Sequence, residues 1–306
     1  MAFNVDLIKP RILEALRTGN LVPFIGAGVS KQARTSDPTA FPTWTELIQA
    51  LQRRAREHGD IDKDENDEMD RLLKCGKHLM VAEALRHAMG GDRFDKLIKE
   101  KCSPHDAEPG EIHHRLFDLK CPLIVTTNYD SLLEDACAKR SGRHALTYTF
   151  DNASAVQHHL QGSREVAGKP LIFKIHGDIE QNPKNVVLTE TAYRRLLYHE
   201  PGYRTILSAI FVTRVVLMMG FSFSDPELTV MMESIRESLK KGSPPDYLIL
   251  PEGEKGPVEK KRLEDDFGIE VIEYSVTPGH PELLELVDYL ASWKEKNQPA
   301  VMAQSR

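Results

Sequence analysis

The chain is short of the residues that several common protein designs require. It has four cysteines in 306 residues, Cys75, Cys102, Cys121 and Cys137, with no Cys-x-x-Cys pair among them. That spacing argues against a zinc ribbon, and a chain of this size does not need a disulfide framework, so the thiols read as core or surface residues. No apolar run approaches the roughly 20 residues that cross a bilayer. The N-terminal Met1-Ala-Phe-Asn-Val-Asp6 lacks the basic-then-apolar pattern of a secretion signal, and a cytoplasmic protein is expected. An excess of positive charge is missing too. The formal net charge is -6, with Lys and Arg spread along the chain, so direct nucleic-acid binding has no electrostatic support.

What is present alternates in pattern. Leu21–Ile25, Leu123–Thr126, Leu171–Ile175, Val215–Met219, Tyr247–Leu250 and Ile269–Glu273 are short apolar runs, the signature of strands buried on both faces. Helical patterns separate them, so the expected fold is α/β: a Rossmann-like parallel sheet with helices on both faces. A helix over Asp6–Arg17, with Leu7, Ile8, Ile12, Leu13 and Leu16 on one side, precedes the first strand and stops at Gly19-Asn20. The helix after that strand is expected to begin near Ser30. Between about residues 34 and 121 no strand is evident, and Trp44–Arg56, Asp67–Leu73, His78–Met89, Arg93–Lys101 and Ile112–Leu119 all read as helices. This is a helical insertion after the first βα unit. The acidic stretch Asp60–Glu68 is expected to be a solvated loop or a helix start. One domain is expected over residues 1–300, closing with a helix over Pro281–Lys294, and residues 301–306 form a frayed tail.

Polar residues gather where the apolar runs end, the place at which open α/β sheets build their sites. Gly26-Ala-Gly28 after the first run allows close approach of a diphosphate to the backbone, and a tight turn is the plainer alternative. Thr126-Thr-Asn-Tyr-Asp130 supplies two hydroxyls, an amide and a carboxylate. Asn128 also suits an Asx-turn and Asp130 a helix N-cap. His176, in His176-Gly177-Asp178, stands at a third strand end, where a histidine titrates near neutral pH and can serve as a base. The pairs His113-His114 and His158-His159 lie on helices, where adjacent side chains diverge, so neither reads as a metal pair. Gly220-Phe-Ser-Phe-Ser-Asp225 ends a fourth run; Ser222 suits a ribose or phosphate and Asp225 a helix cap ahead of Pro226.

In this order, Gly26-Ala-Gly-Val-Ser30, Thr127-Asn-Tyr-Asp130, Lys174-Ile-His-Gly177 and Gly220-Phe-Ser-Phe-Ser-Asp225 resemble the NAD-binding core of the sirtuin family over roughly residues 20–275. Phe41-Pro-Thr-Trp44 is similar to a Leu-Pro-Ser-Trp segment of its divergent bacterial branch, which includes NAD-depleting effectors of antiphage defence. Three features depart from the protein deacylases of the family. Their two Cys-x-x-Cys pairs are missing, as is their Gly-Ile-Pro-Asp-Phe-Arg segment, and Thr127 and Tyr129 replace Gln and Ile.

The resemblance implies that Gly26, Ala27, Gly28 and Ser30 cradle the NAD+ diphosphate, and that Thr127, Asn128 and Asp130 lie at the nicotinamide and its ribose. It places His176 at that ribose and Gly220, Phe221 and Ser222 on the adenosine side, with Asn128 and His176 catalytic and no metal. The implied activity is an NAD+ glycohydrolase that releases nicotinamide and ADP-ribose in antiphage defence. An ADP-ribosyltransferase, a deacylase and a non-catalytic NAD+ or ADP-ribose sensor are the alternatives. By the same analogy the partners are NAD+, further copies of the chain, and an activating subunit such as a HerA-class ATPase or a short Argonaute.

Overall fold

A five-residue strand with no exposed side chain, Leu21–Ile25, sits at the centre of the molecule. In the computed structural model, which describes residues 3–161, 169–223, 226–238 and 244–297, every neighbouring strand runs parallel to it. The helix before it, α1 (Pro10–Thr18), starts with Pro10 in its first turn and stops at Gly19 in the left-handed conformation, which glycine adopts without a Cβ penalty. A single 3₁₀ turn, Val5–Leu7, replaces the expected first turn of that helix.

The strands are β1 (Leu21–Ile25), β2 (Leu123–Thr126), β3 (Leu146–Thr149), β4 (Leu171–Lys174), β5 (Val215–Met219), β6 (Asp246–Pro251) and β7 (Ile269–Tyr274). They form one sheet in the order β3-β4-β2-β1-β5-β6-β7, with all pairs parallel. The chain runs outward from β1 to one edge, then returns to β5 on the other side of β1. The switch point of this Rossmann-like α/β fold therefore lies between β1 and β5, where such sheets open a crevice beyond their strand ends. Alternate residues of each strand feed two cores. Phe24, Val125, Phe173 and Met218 belong to one face, and Ile25, Ile124, Ile172 and Met219 to the other.

Between β1 and β2 stand α2 (Ala27–Ser30), α3 (Trp44–Glu57), α4 (Lys63–Lys74), α5 (His78–Met89), α6 (Gly91–Cys102) and α7 (Glu111–Asp118). Capping boxes at Thr43/Glu46 and Asp62/Glu65 start α3 and α4. The acidic stretch is thus a helix start from Asp62 onward, ahead of the expected Asp67, and Asp60 before it pairs with Arg93 at 2.8 Å. A third core of Leu47, Leu51, Val81, Leu85, Phe94 and Ile98 holds these helices together and takes in Ile179, Val186 and Leu188 from the segment after β4. This contact seats the helices over the carboxyl end of the sheet.

The remaining helices are α8 (Leu132–Ser141), α9 (Ala153–Leu160), α10 (Glu190–His199), α11 (Pro201–Thr213), α12 (Pro226–Ser238), α13 (Pro257–Phe267) and α14 (Pro281–Lys296). Two further expectations are corrected. The helix after β1 begins at Ala27 and ends at Ser30, rather than starting near Ser30. A strand, β3, also stands at the sheet edge where none was expected. One histidine of each adjacent pair has a structural partner: His113 Nδ1 accepts the Gly110 N–H at 3.1 Å, and His159 Nε2 lies 3.0 Å from the Pro122 carbonyl. The proposed cap Asp225 and the tail 301–306 lie outside the described residues. Among the described residues, no helix is long and apolar enough to cross a membrane.

Candidate active site

Beyond the ends of β1, β2, β4, β5 and β6 lies a cavity of about 470 Å³, within the roughly 300–1,000 Å³ usual for small-molecule sites. Its floor is a glycine seam. Gly26 N–H donates to the Met219 carbonyl and Gly28 N–H to the Gly220 carbonyl, both at 2.9 Å. A Cβ on Gly26 would fall 2.4 Å from Gly220 O, and one on Gly28 2.8 Å from Gly220 Cα. The turn after β1 and the turn after β5 are thus locked backbone to backbone. Glycine at 26 and 28 is required by this contact alone, and the two N–H groups are already engaged.

The end of β2 is pinned to the same turn. Thr126 Oγ1 donates to the Ile25 carbonyl at 2.8 Å and accepts the Asn128 N–H at 3.0 Å. Asn128 Nδ2 then donates to the Gly26 carbonyl at 3.0 Å and to Ser30 Oγ at 2.7 Å. A carbonyl only accepts, so the amide orientation is fixed with nitrogen toward Gly26. Both amide hydrogens are spent, and Oδ1, an acceptor, is what Asn128 retains. Ser30 Oγ in turn donates to Asp130 Oδ2 at 2.7 Å, and Asp130 Oδ1 accepts the Leu132 N–H at 3.1 Å. The N-cap of α8 is Ser131 rather than the expected Asp130, which stands one residue earlier, accepts the first helical N–H and orients Ser30 at once. Burial pushes its carboxyl above the usual range, against the opposing pull of Lys174, Ser30 and the Leu132 amide.

His176 is buried just past β4. Its Nε2 lies 3.2 Å from Tyr193 OH of α10, and the rings meet edge to face with centroids 5.4 Å apart. The His176 carbonyl accepts the Val187 N–H at 2.9 Å, while Tyr129 OH donates to the Val187 carbonyl at 2.8 Å. One peptide segment thereby couples the loop of Asn128 to that of His176.

Beneath both loops sits Lys174, with no exposed side-chain surface, between Asp178 Oδ2 at 2.8 Å and Glu134 Oε1 at 3.2 Å. Burial pulls the ammonium down, but Glu134, Asp178 and Asp130 outweigh it and leave it above its ordinary value. Glu134 is pushed up, by burial first. Glu134 Oε1 stands at ion-pair distance, and neither Glu134 oxygen makes an aligned hydrogen bond.

The cavity walls come from both ends of the chain. Trp44, stacked on His78 with centroids 5.1 Å apart, brings the start of α3 over the site. Phe41 and His280 line it in the left-handed conformation, with φ 51° and 50°, an uncommon state for residues with a Cβ. His280 Nδ1 is 2.9 Å from Tyr274 OH on the β7 side.

Residues 122–272 match the profile of the SIR2-like domain. Just under half of the chain is thus similar to a SIR2-like domain. The matched stretch contains the ends of β2, β4 and β5, and so Asn128, His176 and Gly220. Similarity to whole proteins is wider. The chain is 25% identical over 264 residues to Defense-associated sirtuin 2 of Bacillus subtilis, covering 85% of this chain and 23% of that protein. It is 25% identical over 263 residues to the NAD(+) hydrolase ThsA of Bacillus cereus, with 86% of this chain and 49% of that protein covered. With ThsA of Enterococcus faecium it shares 27% identity over 249 residues, 80% of this chain and 45% of that one. The chain thus spans less than half the length of each of these relatives.

Of the residues singled out from sequence, Ala27, Gly28, Ser30, Thr127, Asn128, Asp130, His176, Gly220, Phe221 and Ser222 line the cavity. Gly26 lies at its base, presenting its carbonyl to Asn128. Sequence reading missed Tyr193, Tyr274 and His280, which no local pattern marks. It also missed the part played by Lys174 and Glu134. A lysine inside the apolar run Leu171–Ile175 was the one available signal.

Proposed function

We propose that the chain is an NAD+ glycohydrolase that splits the nicotinamide–ribose bond. The observation that carries this reading is Asn128, whose two N–H groups are used inside the protein. What remains is an acceptor in a cavity it shares with His176, the arrangement needed to hold a water by its O–H. Resemblance adds support, since two of the three relatives described are named NAD(+) hydrolase.

Cleavage breaks the bond between ribose C1′ and the nicotinamide ring nitrogen. The electron pair stays on the nitrogen, so a cationic ring leaves as neutral nicotinamide. A water oxygen bonds to C1′, and the proton it loses passes to His176. Asn128 holds that water against the anomeric carbon, and general-base and orientation effects of this kind are worth about 10²–10⁴-fold each. Asp130 and Ser30 keep the Asn128 amide turned the right way. Ala27 and Ser30 lie toward the diphosphate, and Gly220, Phe221 and Ser222 toward the adenosine.

The role we infer is NAD+ depletion in the cytoplasm as a defence response; one relative is named for defence and another for NAD(+) hydrolysis. Such an activity has to be restrained in a healthy cell, and we assign the restraint to assembly with further copies or to a separate activating subunit. We take residues 1–300 as one domain, with the helices between about 34 and 121 walling its site.

Incubating the protein with NAD+, alone and with its genomic-neighbour proteins, should yield free ADP-ribose and nicotinamide on chromatography. Asn128→Ala and His176→Ala should each keep the wild-type melting temperature within a few degrees and lose at least about 10²-fold in turnover. Wild-type turnover in both variants would refute these assignments, and intact NAD+ in every condition would make the chain a sensor instead.

A further inference from the structure

Lys174 Nζ donates to the main-chain carbonyls of Tyr129 at 3.1 Å and Asp130 at 2.6 Å, as well as to Asp178 Oδ2. Carbonyls of consecutive residues in an extended chain point in opposite directions. Their convergence on one ammonium means that the loop after Asn128 is curled around it. The other anchor, Asp178, is itself fixed: its Oδ1 accepts the N–H groups of Glu180 at 2.8 Å and Gln181 at 3.0 Å, in the turn that follows His176. A single buried cation therefore joins the loop carrying Asn128 to the loop carrying His176.

We propose that Lys174 is a positioning residue of the reaction: through the Tyr129 and Asp130 carbonyls it sets the place of Asn128 relative to His176. This rests on the hydrolase reading above. Simple stabilisation is a poor account of the same lysine, because an apolar side chain fills such a space without the desolvation of an ammonium and its carboxylates, and buried ion pairs often add nothing to stability. Glu134 completes the arrangement by bringing a second carboxylate to 3.2 Å from the ammonium, which keeps it charged with all three N–H bonds available.

The test uses Lys174→Met and the double variant Lys174→Met/Glu134→Gln. The double variant loses one positive and one negative charge, so the buried charge balance is that of the wild type while the tether to the carbonyls is gone. It gives the reading if the single variant fails to fold. Binding of ADP-ribose by calorimetry counts competent sites, and turnover is expressed per competent site. The expected result is a fall in kcat of about 10²-fold, with the KM for NAD+ and the Kd for ADP-ribose within about threefold of wild type. A purely structural lysine would lower the number of competent sites and leave kcat per site unchanged, and that result overturns the proposal. Amide exchange supplies a readout independent of activity. The Asn128 and Leu132 N–H groups should exchange at least about tenfold faster in the folded variant, with β5 unaltered, and unchanged exchange there also overturns it. A wild-type protein that never hydrolyses NAD+ sinks the hydrolase reading instead, and leaves the tether to be judged by exchange alone.

Discussion

Gly26→Ala separates two uses of the small residues after β1. The φ of Gly26 is -111°, a conformation open to any residue, so only its surroundings forbid a side chain. A Cβ there meets Gly220 O at 2.4 Å, with Gly220 C and Phe221 Cα at 2.9 Å. All three are backbone atoms with no rotamer to yield. The ends of β1 and β5 must part by about 1 Å to restore ordinary contact, a strain comparable to overpacking a core and worth about 1–3 kcal/mol. Parting also stretches the Gly26–Met219 and Gly28–Gly220 hydrogen bonds, both 2.9 Å long, and weakening one adds about 1 kcal/mol. The sum is roughly 2–4 kcal/mol. For 306 residues the unfolding entropy is on the order of 640 cal/mol/K, so the melting temperature should fall by about 3–6 °C.

NAD+ turnover should fall with it, since the Gly26 carbonyl that orients Asn128 moves. Gly19→Ala is the control: its φ is +74° and nothing lies within 4 Å of the added Cβ. It carries only the left-handed backbone cost of about 1–2 kcal/mol and leaves turnover per folded molecule unchanged. Calorimetry and a nicotinamide-release assay on the three proteins give both quantities. Wild-type thermal stability in Gly26→Ala together with lost NAD+ binding would show that the glycine serves the ligand's approach and that the seam reasoning is mistaken.

Two further expectations follow from buried groups. Ser30→Ala leaves Asp130 Oδ2 without its 2.7 Å donor and Asn128 without one acceptor, a stability loss of about 1–3 kcal/mol that should lower the melting temperature by about 2–5 °C, and turnover should fall as the Asn128 amide loses an anchor; unchanged turnover would remove Ser30 from the network. Asp246 is pushed by burial from 3.8 to about 7, against the Val216 amide and Arg236, so the folded state holds an extra proton between those values. Stability should therefore fall as pH rises from about 4 to 7, by on the order of 4 kcal/mol from this group. Denaturant titrations of Asp246→Asn across that range should show a visibly flatter dependence, and an identical profile would contradict it.

The parts of the fold legible in sequence are those whose signal is local. Val215–Met219 is recognisable because a strand buried on both faces must be apolar throughout, whereas α4 was legible only from Asp67, since its first turn, capped by Asp62 and Glu65, is charged throughout. β3 escaped because Leu146–Thr149 is a four-residue edge strand, half-buried over its first three positions, where a polar alternation resembles a loop. The start of α2 escaped because two glycines are poor helix formers, and its place is set by Gly220, nearly two hundred residues away. Asn128 and His176 were visible as polar residues at strand ends. Tyr193 and His280 reach the cavity only through the packing of α10 and the chain before α14, which leaves no trace in residue order.

The glycine seam also decides how the site is divided. On one side of it, Asn128, Ser30, Asp130 and His176 descend from the ends of β1, β2 and β4, tied through Lys174 and Val187. On the other, Phe221, Tyr274 and His280 belong to β5, β7 and the chain beyond. Under the hydrolase reading the bond that breaks lies on the first side, and the adenosine that only has to be held lies on the second. Loss of a contact made equally in ground state and transition state raises KM, whereas loss of alignment at the reacting carbon lowers kcat. Gly26, Gly28 and Gly220 join the two sides with no side chain between them, so a displacement of the seam has no soft group to absorb it and reaches both constants together.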